Sequence, residues 1–337
     1  MTVLRGDDPA ALASAAQRLA DGGLVAFATE TVYGLGARAD SEAAVAAIFA
    51  AKGRPADHPL IVHVADLAQA GHFAAELPAS ARRLAAAFWP GPVTVIVPRA
   101  PGVAGAAAGG QSSSGLRCPS HPVAQALLRE AARRGVAGVA APSANRFGRV
   151  SPTSAAHVVQ EFGAALWVVD GGDCRVGIES TIVDCSRGRP VLLRPGVLTR
   201  AELETALGEP LHAADDQAPR ASGTLASHYA PRAQVRLWPA TALSLALAKS
   251  ASSTRTTDPA TQQSSKGVAL YSRRAGDGPP GVLWRRMPDD PAAAAHELFS
   301  VLRELDATGV AEIWVERPPE SPAWEGVLDR LKRAAAP

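Results

Sequence analysis

Short apolar runs alternate with capped, helix-forming stretches along the first two hundred residues, and that alternation restricts the chain to an α/β architecture. Residues 24–28 ("LVAFA"), 59–64 ("PLIVHV") and 92–98 ("PVTVIVP") read as strands. Further strands are expected near 115–118, 137–141, 166–170, 179–185 and 190–194. Between them, "DDPAALASAAQRLADGG" supplies a capping Asp8, Pro9 in the first turn and glycines at the end, the punctuation of a helix. Other helices are expected over 40–51, 78–88, 121–134, 153–162 and 199–207. The stretch 102–115, "GVAGAAAGGQSSSG", has no apolar period and reads as a mobile loop. Residues 209–232, rich in proline and carrying adjacent Asp215 and Asp216, read as a linker between a domain over 1–208 and a smaller one over 233–337. The smaller domain repeats the α/β pattern, with strands at 234–238, 267–271, 282–286 and 311–316 and helices at 241–249, 290–307 and 322–334. Residues 250–266 are almost entirely polar and read as a disordered insertion.

Composition narrows the class. A chain of 337 residues with 47% hydrophobic and 20% charged residues can bury the cores of two domains. A net charge of +2 gives no general basic surface for nucleic acid. No apolar run approaches the length of a membrane span, and the first residues lack the order of a signal peptide. Cys118, Cys174 and Cys185, none in a CxxC pair, suit reduced thiols in the cytoplasm rather than a disulfide framework or a zinc site. Only four of the 34 basic residues are lysine, and Lys52 is alone in the first 248 positions.

The strand ends carry polar clusters. Directly after strand 24–28 the chain spends Thr29, Glu30, Thr31 and Tyr33 before Gly34 and Gly36, more hydrogen-bonding groups than a turn requires. Lys52 and Arg54 flank Gly53 at a helix exit, a concentrated positive site suited to polyphosphate, although such a pair also suits a solvated helix end. His58 follows, and His63 lies inside "IVHV", where a histidine is as easily a hydrogen-bonded core residue. Arg117, flanked by apolar neighbours on a strand, needs an anionic partner, either a structural carboxylate or a ligand's. "APSANRFGRVSP" (141–152) brings Ser143, Asn145 and Ser151 to a strand-to-helix junction, and "ESTIVD" and "LRPG" place Ser180, Thr181 and Arg194 at two more strand ends. "GLGARAD" is a weak echo of a nucleotide-binding loop, and no Walker A, HExxH or GxSxG motif occurs in a supporting context.

Seven stretches in order, "TETVYGLGA", "KGRPADHPLIVHV", "WPGPVTVI", "LRCPSHPVA", "APSANRFG", "ESTIVD" and "LRPG", resemble the threonylcarbamoyl-AMP synthases, the YrdC-like family. The likeness covers about 8–208, and the tail from "SHYAP" (227–231) resembles the C-terminal extension of the two-domain form. It implies a YrdC-like twisted mixed sheet with helices packed around it, a smaller Rossmann-like α/β domain, and a linker folded over the active site. It also implies a nucleotidyltransferase that condenses L-threonine, bicarbonate and ATP, with Mg²⁺ on the phosphates, to threonylcarbamoyl-AMP and pyrophosphate. A separate transferase complex would then modify tRNA beside the anticodon, with at most a weak contact between tRNA and this chain. The family's KxR and SxN elements fall on Lys52, Arg54, Ser143 and Asn145 as catalytic residues. Threonine contacts fall on Thr31, His63, Arg117, Ser180 and the backbone of Ala141. ATP contacts fall on Arg54, His58, Ser113, Ser143, Ser151, Arg194 and Tyr229. Ala28 stands where many relatives have proline, and "ASGTLASHYAP" lacks the proline and basic residues often found before "HYAP". Two other functions fit the fold class: an RNA-binding module, and a carbamoyl-transfer domain of the hydrogenase-maturation type. Low aromatic content counts against the first, and the absence of acylphosphatase-like or zinc-finger-like segments against the second.

Overall fold

The computed structural model describes residues 2–253, 267–273 and 282–336. The chain divides into two units, one made of Met1–Phe147 with Ser151–Leu225, the other of Gly148–Val150 with Ala226–Pro337. Strands of the first unit are β1 (Thr2–Arg5), β2 (Val25–Phe27), β3 (Gly34–Arg38), β4 (Ile61–His63), β5 (Val93–Pro98), β6 (Ser113–Arg117), β7 (Val139–Ala140), β8 (Trp167–Asp170), β9 (Thr181–Asp184), β10 (Val191–Arg194) and β11 (His212–Ala213). They form one mixed sheet in the order β1-β8-β2-β3-β7-β4-β6-β5-β9-β10-β11. Its helices are α1 (Pro9–Ala20), α2 (Glu42–Lys52), α3 (Leu67–Phe73), α4 (Ala79–Phe88), α5 (Pro122–Ala132), α6 (Ala155–Phe162) and α7 (Arg200–Leu207).

The sheet is buried on both faces, which is why its strands read as continuous apolar runs rather than alternating ones. Val25 and Phe27 of β2 join a core with Leu19, Leu127 and Val169. Ala26, between them, joins the opposite core with Leu35, Ile48, Val62 and Leu116.

Three features differ from the sequence reading. "GLGAR" is not a phosphate loop but β3, paired antiparallel with β2 and β7 in the middle of the sheet. Gly36 is glycine for space: a Cβ there would lie 2.8 Å from Val139 Cγ1 and 2.9 Å from Phe27 Cε1. The short elements β1, α3 and β11 carry too few residues to show a period. The stretch 102–115, expected to be mobile, is packed: Ala104, Ala107 and Ala108 are buried, Leu60 N–H donates to the Ala107 carbonyl at 2.7 Å, and β6 begins at Ser113. Alanines small enough to fill the core hid the packing behind a low-complexity composition.

The second unit holds β12 (Gln234–Trp238), β13 (Val268–Ser272), β14 (Leu283–Arg286) and β15 (Glu312–Glu316), all parallel in the order β12-β15-β13-β14. Its helices are α8 (Ala240–Ser253), α9 (Pro291–Ala307) and α10 (Glu325–Ala334). Helix α8 takes the first four residues of the insertion expected over 250–266, and 254–266 lie outside the described residues. No described helix is long and apolar enough to cross a membrane.

Candidate active site

Strand register places the polar residues along one edge of the first sheet. His63 at the end of β4 pairs with Arg117 at the end of the parallel β6. Strand β5 runs antiparallel to β6, with Val95 opposite Leu116, so Thr94 comes level with Arg117. Val93 in turn pairs with Thr181 at the start of β9, and Ile182 with Arg194 at the end of β10. His63, Arg117, Thr94, Ser180 and Arg194 therefore share an edge, where an α/β protein holds ligands.

The exit of α2 is built by Gly53, which takes a left-handed φ of 63° and lets the Arg54 N–H return to the Phe49 carbonyl at 3.0 Å. Lys52 is turned inward and is only 3% exposed. Its Nζ donates to the main-chain carbonyls of Ser143, at 2.5 Å, and Asn145. The KxR and SxN elements are thus joined directly. Burial, and after it the charge of Arg54, pushes the Lys52 ammonium well below the usual lysine range, while Glu161 and Glu179 pull the other way. An amine, like an ammonium, has a hydrogen for each of the two carbonyls, so the contact survives a change of protonation, though the ammonium's bonds are the stronger. Asn145 Nδ2 donates to the Arg146 carbonyl at 2.7 Å, and Ser151 Oγ donates to Glu179 Oε1 at 2.5 Å.

A second cluster includes the linker. Arg54 Nη2 donates to Ser222 Oγ at 3.2 Å and to the Pro59 carbonyl at 2.9 Å, and Ser222 Oγ donates to the same carbonyl at 2.7 Å. Arg194 Nη1 donates to the Ser222 carbonyl at 2.8 Å, its Nε to the Ser180 carbonyl at 3.0 Å and its Nη2 to Ser180 Oγ at 3.2 Å. Ser180 Oγ also lies 2.8 Å from Thr94 Oγ1. The strap is fastened further by Gln111, whose amide accepts from the Arg220 N–H at 2.8 Å and donates to the Arg220 carbonyl at 3.1 Å. Beneath it the free space is only about 10 Å³, room for a single water, lined by Pro59, Ile61, Ser113, Ile182, Ala221 and Ser222. His58, half-buried, meets Phe147 edge-on at 5.4 Å between ring centres, and the Arg54 guanidinium lies 5.9 Å from the same ring. Burial and the Arg54 charge hold His58 below the usual imidazole range.

The third cluster accounts for the crowded turn after β2. Thr29 Oγ1 accepts from the N–H groups of Thr31 and Val32, both at 3.2 Å, and donates to the Val32 carbonyl at 2.6 Å, so it shapes the turn. Thr31 Oγ1 sits 2.9 Å from Thr29 Oγ1. The Tyr33 hydroxyl, wholly buried, shares its one hydrogen between the Gly172 carbonyl at 2.8 Å and Asp170 at 3.0 Å, a tie to β8 rather than a ligand group. Glu30 pairs with Arg117 at 2.6 Å, the two side chains being 3% and 4% exposed. Sequence reasoning left Glu30 out of the site; the signal was Arg117 itself, a strand arginine requiring a buried anion. Burial and the nearby Arg117 charge depress the His63 imidazole to about 3. The Ala141 N–H donates to the Ile61 carbonyl at 2.9 Å.

Tyr229 is the one expected ATP contact that falls outside the first unit. It lies in the second unit, wholly buried, with its ring 5.3 Å from that of Phe299 and the Arg330 guanidinium 5.5 Å from its centre. Among the described residues no three carboxylate, imidazole or thiol groups converge on a metal site.

A family model described as telomere recombination matches residues 17–196, and one described as threonylcarbamoyl-AMP synthase, C-terminal domain, matches 198–336. The threonylcarbamoyl-AMP synthase of Pyrococcus abyssi is 38% identical, over 95% of this chain and 93% of its own. The chain belongs to the threonylcarbamoyl-AMP synthase family. The Bacillus subtilis member is 36% identical over 98% of this chain and 94% of its own. A crystal structure of P. abyssi Sua5 complexed with L-threonine, 37% identical, superposes with a TM-score of 0.86 over 97% of this chain and 95% of that one. Both the mixed sheet and the smaller parallel sheet agree with membership of this two-domain synthase family.

Proposed function

We propose that the chain is a nucleotidyltransferase that condenses L-threonine, bicarbonate and ATP to threonylcarbamoyl-AMP and pyrophosphate. The observation that carries this is the direct bonding of Lys52 to Ser143 and Asn145, which joins two catalytic motifs of the family in one site. The threonine amine adds to the bicarbonate carbon and water departs, giving a carbamate. A carbamate oxygen attacks the α-phosphorus, and the bond to the β-phosphate oxygen breaks. No group here needs to be a nucleophile. The protein's work is to hold two mutually repelling anions in contact and to exclude water.

Arg117, with Thr31, His63, Ser180 and the Ala141 backbone, takes threonine. Arg117 receives the carboxylate, and the neutral imidazole of His63 adds no charge beside it. Arg54, His58, Ser113, Ser143, Ser151 and Arg194 take ATP. Lys52 orders the Ser143–Asn145 turn and, with Arg54, stabilises charge that grows as pyrophosphate leaves. Mg²⁺ ordinarily rides on phosphates with few protein ligands. Mg²⁺ would be held chiefly by the phosphates, with Glu179 beside Ser151 as a candidate ligand, and would neutralise phosphate charge. The strap, held by Ser222 on Arg54 and Arg194, closes over the site, and a Tyr229 contact with the nucleotide requires its packing on Phe299 to open. The product passes to a transferase complex that modifies tRNA in the cytoplasm, with at most weak binding of tRNA by this chain.

Pyrophosphate release measured with ATP alone, and then with threonine and bicarbonate added singly and together, tests the reading. Release should require all three, with threonylcarbamoyl-AMP identified by mass. ATP turnover indifferent to threonine would overturn it, and salt-dependent tRNA binding without turnover would favour an RNA-binding module.

A further inference from the structure

Glu30 is a carboxylate at 2% exposure in the turn between β2 and β3, and two separate segments, 117–120 and the one holding Val176, converge on it. Its Oε1 accepts from Arg117 Nη2 at 2.6 Å, and its Oε2 accepts from the Ser120 N–H at 3.1 Å. Its own carbonyl accepts from the Val176 N–H at 2.7 Å. The carboxylate is therefore held at both oxygens and the residue at its backbone. Arg117 is in turn restrained at Nε, which donates to the Gly91 carbonyl at 3.4 Å. Its Nη1 has no hydrogen-bond partner among the described residues. The result is a guanidinium fixed in orientation, with its charge matched by a buried anion and one edge unspent.

Matching that charge has a chemical consequence in a site that also admits a triphosphate. A lone buried arginine attracts whichever anion carries the most charge. An arginine already paired with a carboxylate has little net field but keeps directional N–H donors. Such a group gains little from extra negative charge on its ligand, so a singly charged carboxylate is no longer outbid by a polyanion. We propose that Glu30 is a positioning residue for the amino-acid substrate: it fixes Arg117 and cancels its excess charge, so that the free guanidinium edge takes an α-amino-acid carboxylate in preference to phosphate. This rests on the assignment of Arg117 to the threonine carboxylate.

The test uses the full chain with Glu30→Gln, an isostere that removes the charge. The KM for threonine should rise about tenfold, as one misdirected charge-assisted hydrogen bond implies, while the KM for ATP moves by less than about threefold. Pyrophosphate, which competes with ATP, should become competitive with threonine as well. Adding Arg117→Leu to Glu30→Gln should raise the threonine KM no further than Arg117→Leu does alone, because Glu30 acts through Arg117. An unchanged threonine KM in folded Glu30→Gln, or equal rises for threonine and ATP, would overturn the proposal. If Arg117→Leu itself leaves the threonine KM at its native value, the assignment of Arg117 falls and the proposal falls with it. Should Glu30→Gln not fold, Glu30→Asp keeps the buried charge but is too short to hold both Arg117 and Ser120. It should show a smaller rise in the threonine KM, and a native value would equally overturn the proposal.

Discussion

Lys52 Nζ reaches the carbonyl of Ser143 at 2.5 Å, across 91 residues of sequence, and so ties the end of α2 to the turn after β7. A side chain at a helix exit is ordinarily outside the core, but this one is inside it. Lys52→Met keeps most of the buried stem and removes Nζ. Turnover should fall about a hundredfold or more. Stability should also fall, by about 1–3 kcal/mol, because two buried carbonyls lose their donor. Pyrophosphate release and urea unfolding check the two effects separately, and near-normal turnover would remove Lys52 from the mechanism.

Arg117→Leu should raise the threonine KM much more than the ATP KM, measured by pyrophosphate release. The same change leaves Glu30 buried without its cation, which costs about 3–5 kcal/mol of stability, so the kinetics need a folded sample. Equal rises in both constants would mark a structural ion pair only. Threonine should also outcompete valine, which fills the same space but leaves hydroxyl-binding groups unpaired. Comparable turnover of the two would contradict a dedicated hydroxyl contact.

His63 supplies a dependence on pH. Its unfolded value near 6.5 falls to about 3 in the fold, so the unfolded chain binds the extra proton first as pH drops. The contribution is fully present above pH 6.5 and is lost between 6.5 and 3, with a slope of about 1.4 kcal/mol per pH unit. His63→Gln should flatten the unfolding free energy over that window relative to the unaltered chain and leave it parallel above pH 7. Parallel curves throughout would show that the ring is not held neutral by burial.

Where the chain is cut should matter. Ending it after Pro210 removes Ser222, which bonds both Arg54 and Arg194, whereas ending it after Leu225 keeps those contacts. The longer fragment should bind ATP more tightly than the shorter one. Full-length protein should recover more threonylcarbamoyl-AMP per pyrophosphate than either fragment, and Tyr229→Ala should resemble the fragment ending at Leu225. Identical ratios and ATP affinities in all four would reduce the strap to a tether.

Much of the fold is legible in the sequence because strands buried on both faces show as apolar runs and helices as capped stretches. Strand β3 was not, because glycines placed for space look the same as glycines placed for a turn. The site was legible as residue types at strand ends. Which residues bond to which was not: nothing local to Arg117 points to Glu30, 87 residues away, and nothing local to Lys52 shows that it faces inward. Such pairings are created by strand order, and β4 and β6 are neighbours only because of crossovers that leave no mark on either strand.

The grip of Gln111 on the strap is indifferent to what it grips. Its amide pairs with the N–H and carbonyl of Arg220, groups that every residue but proline supplies, and never with a side chain. Position 220 can therefore change its side chain without losing this attachment. Substitutions of most kinds at 220 should be borne, while Arg220→Pro, or any shortening of Gln111, should not.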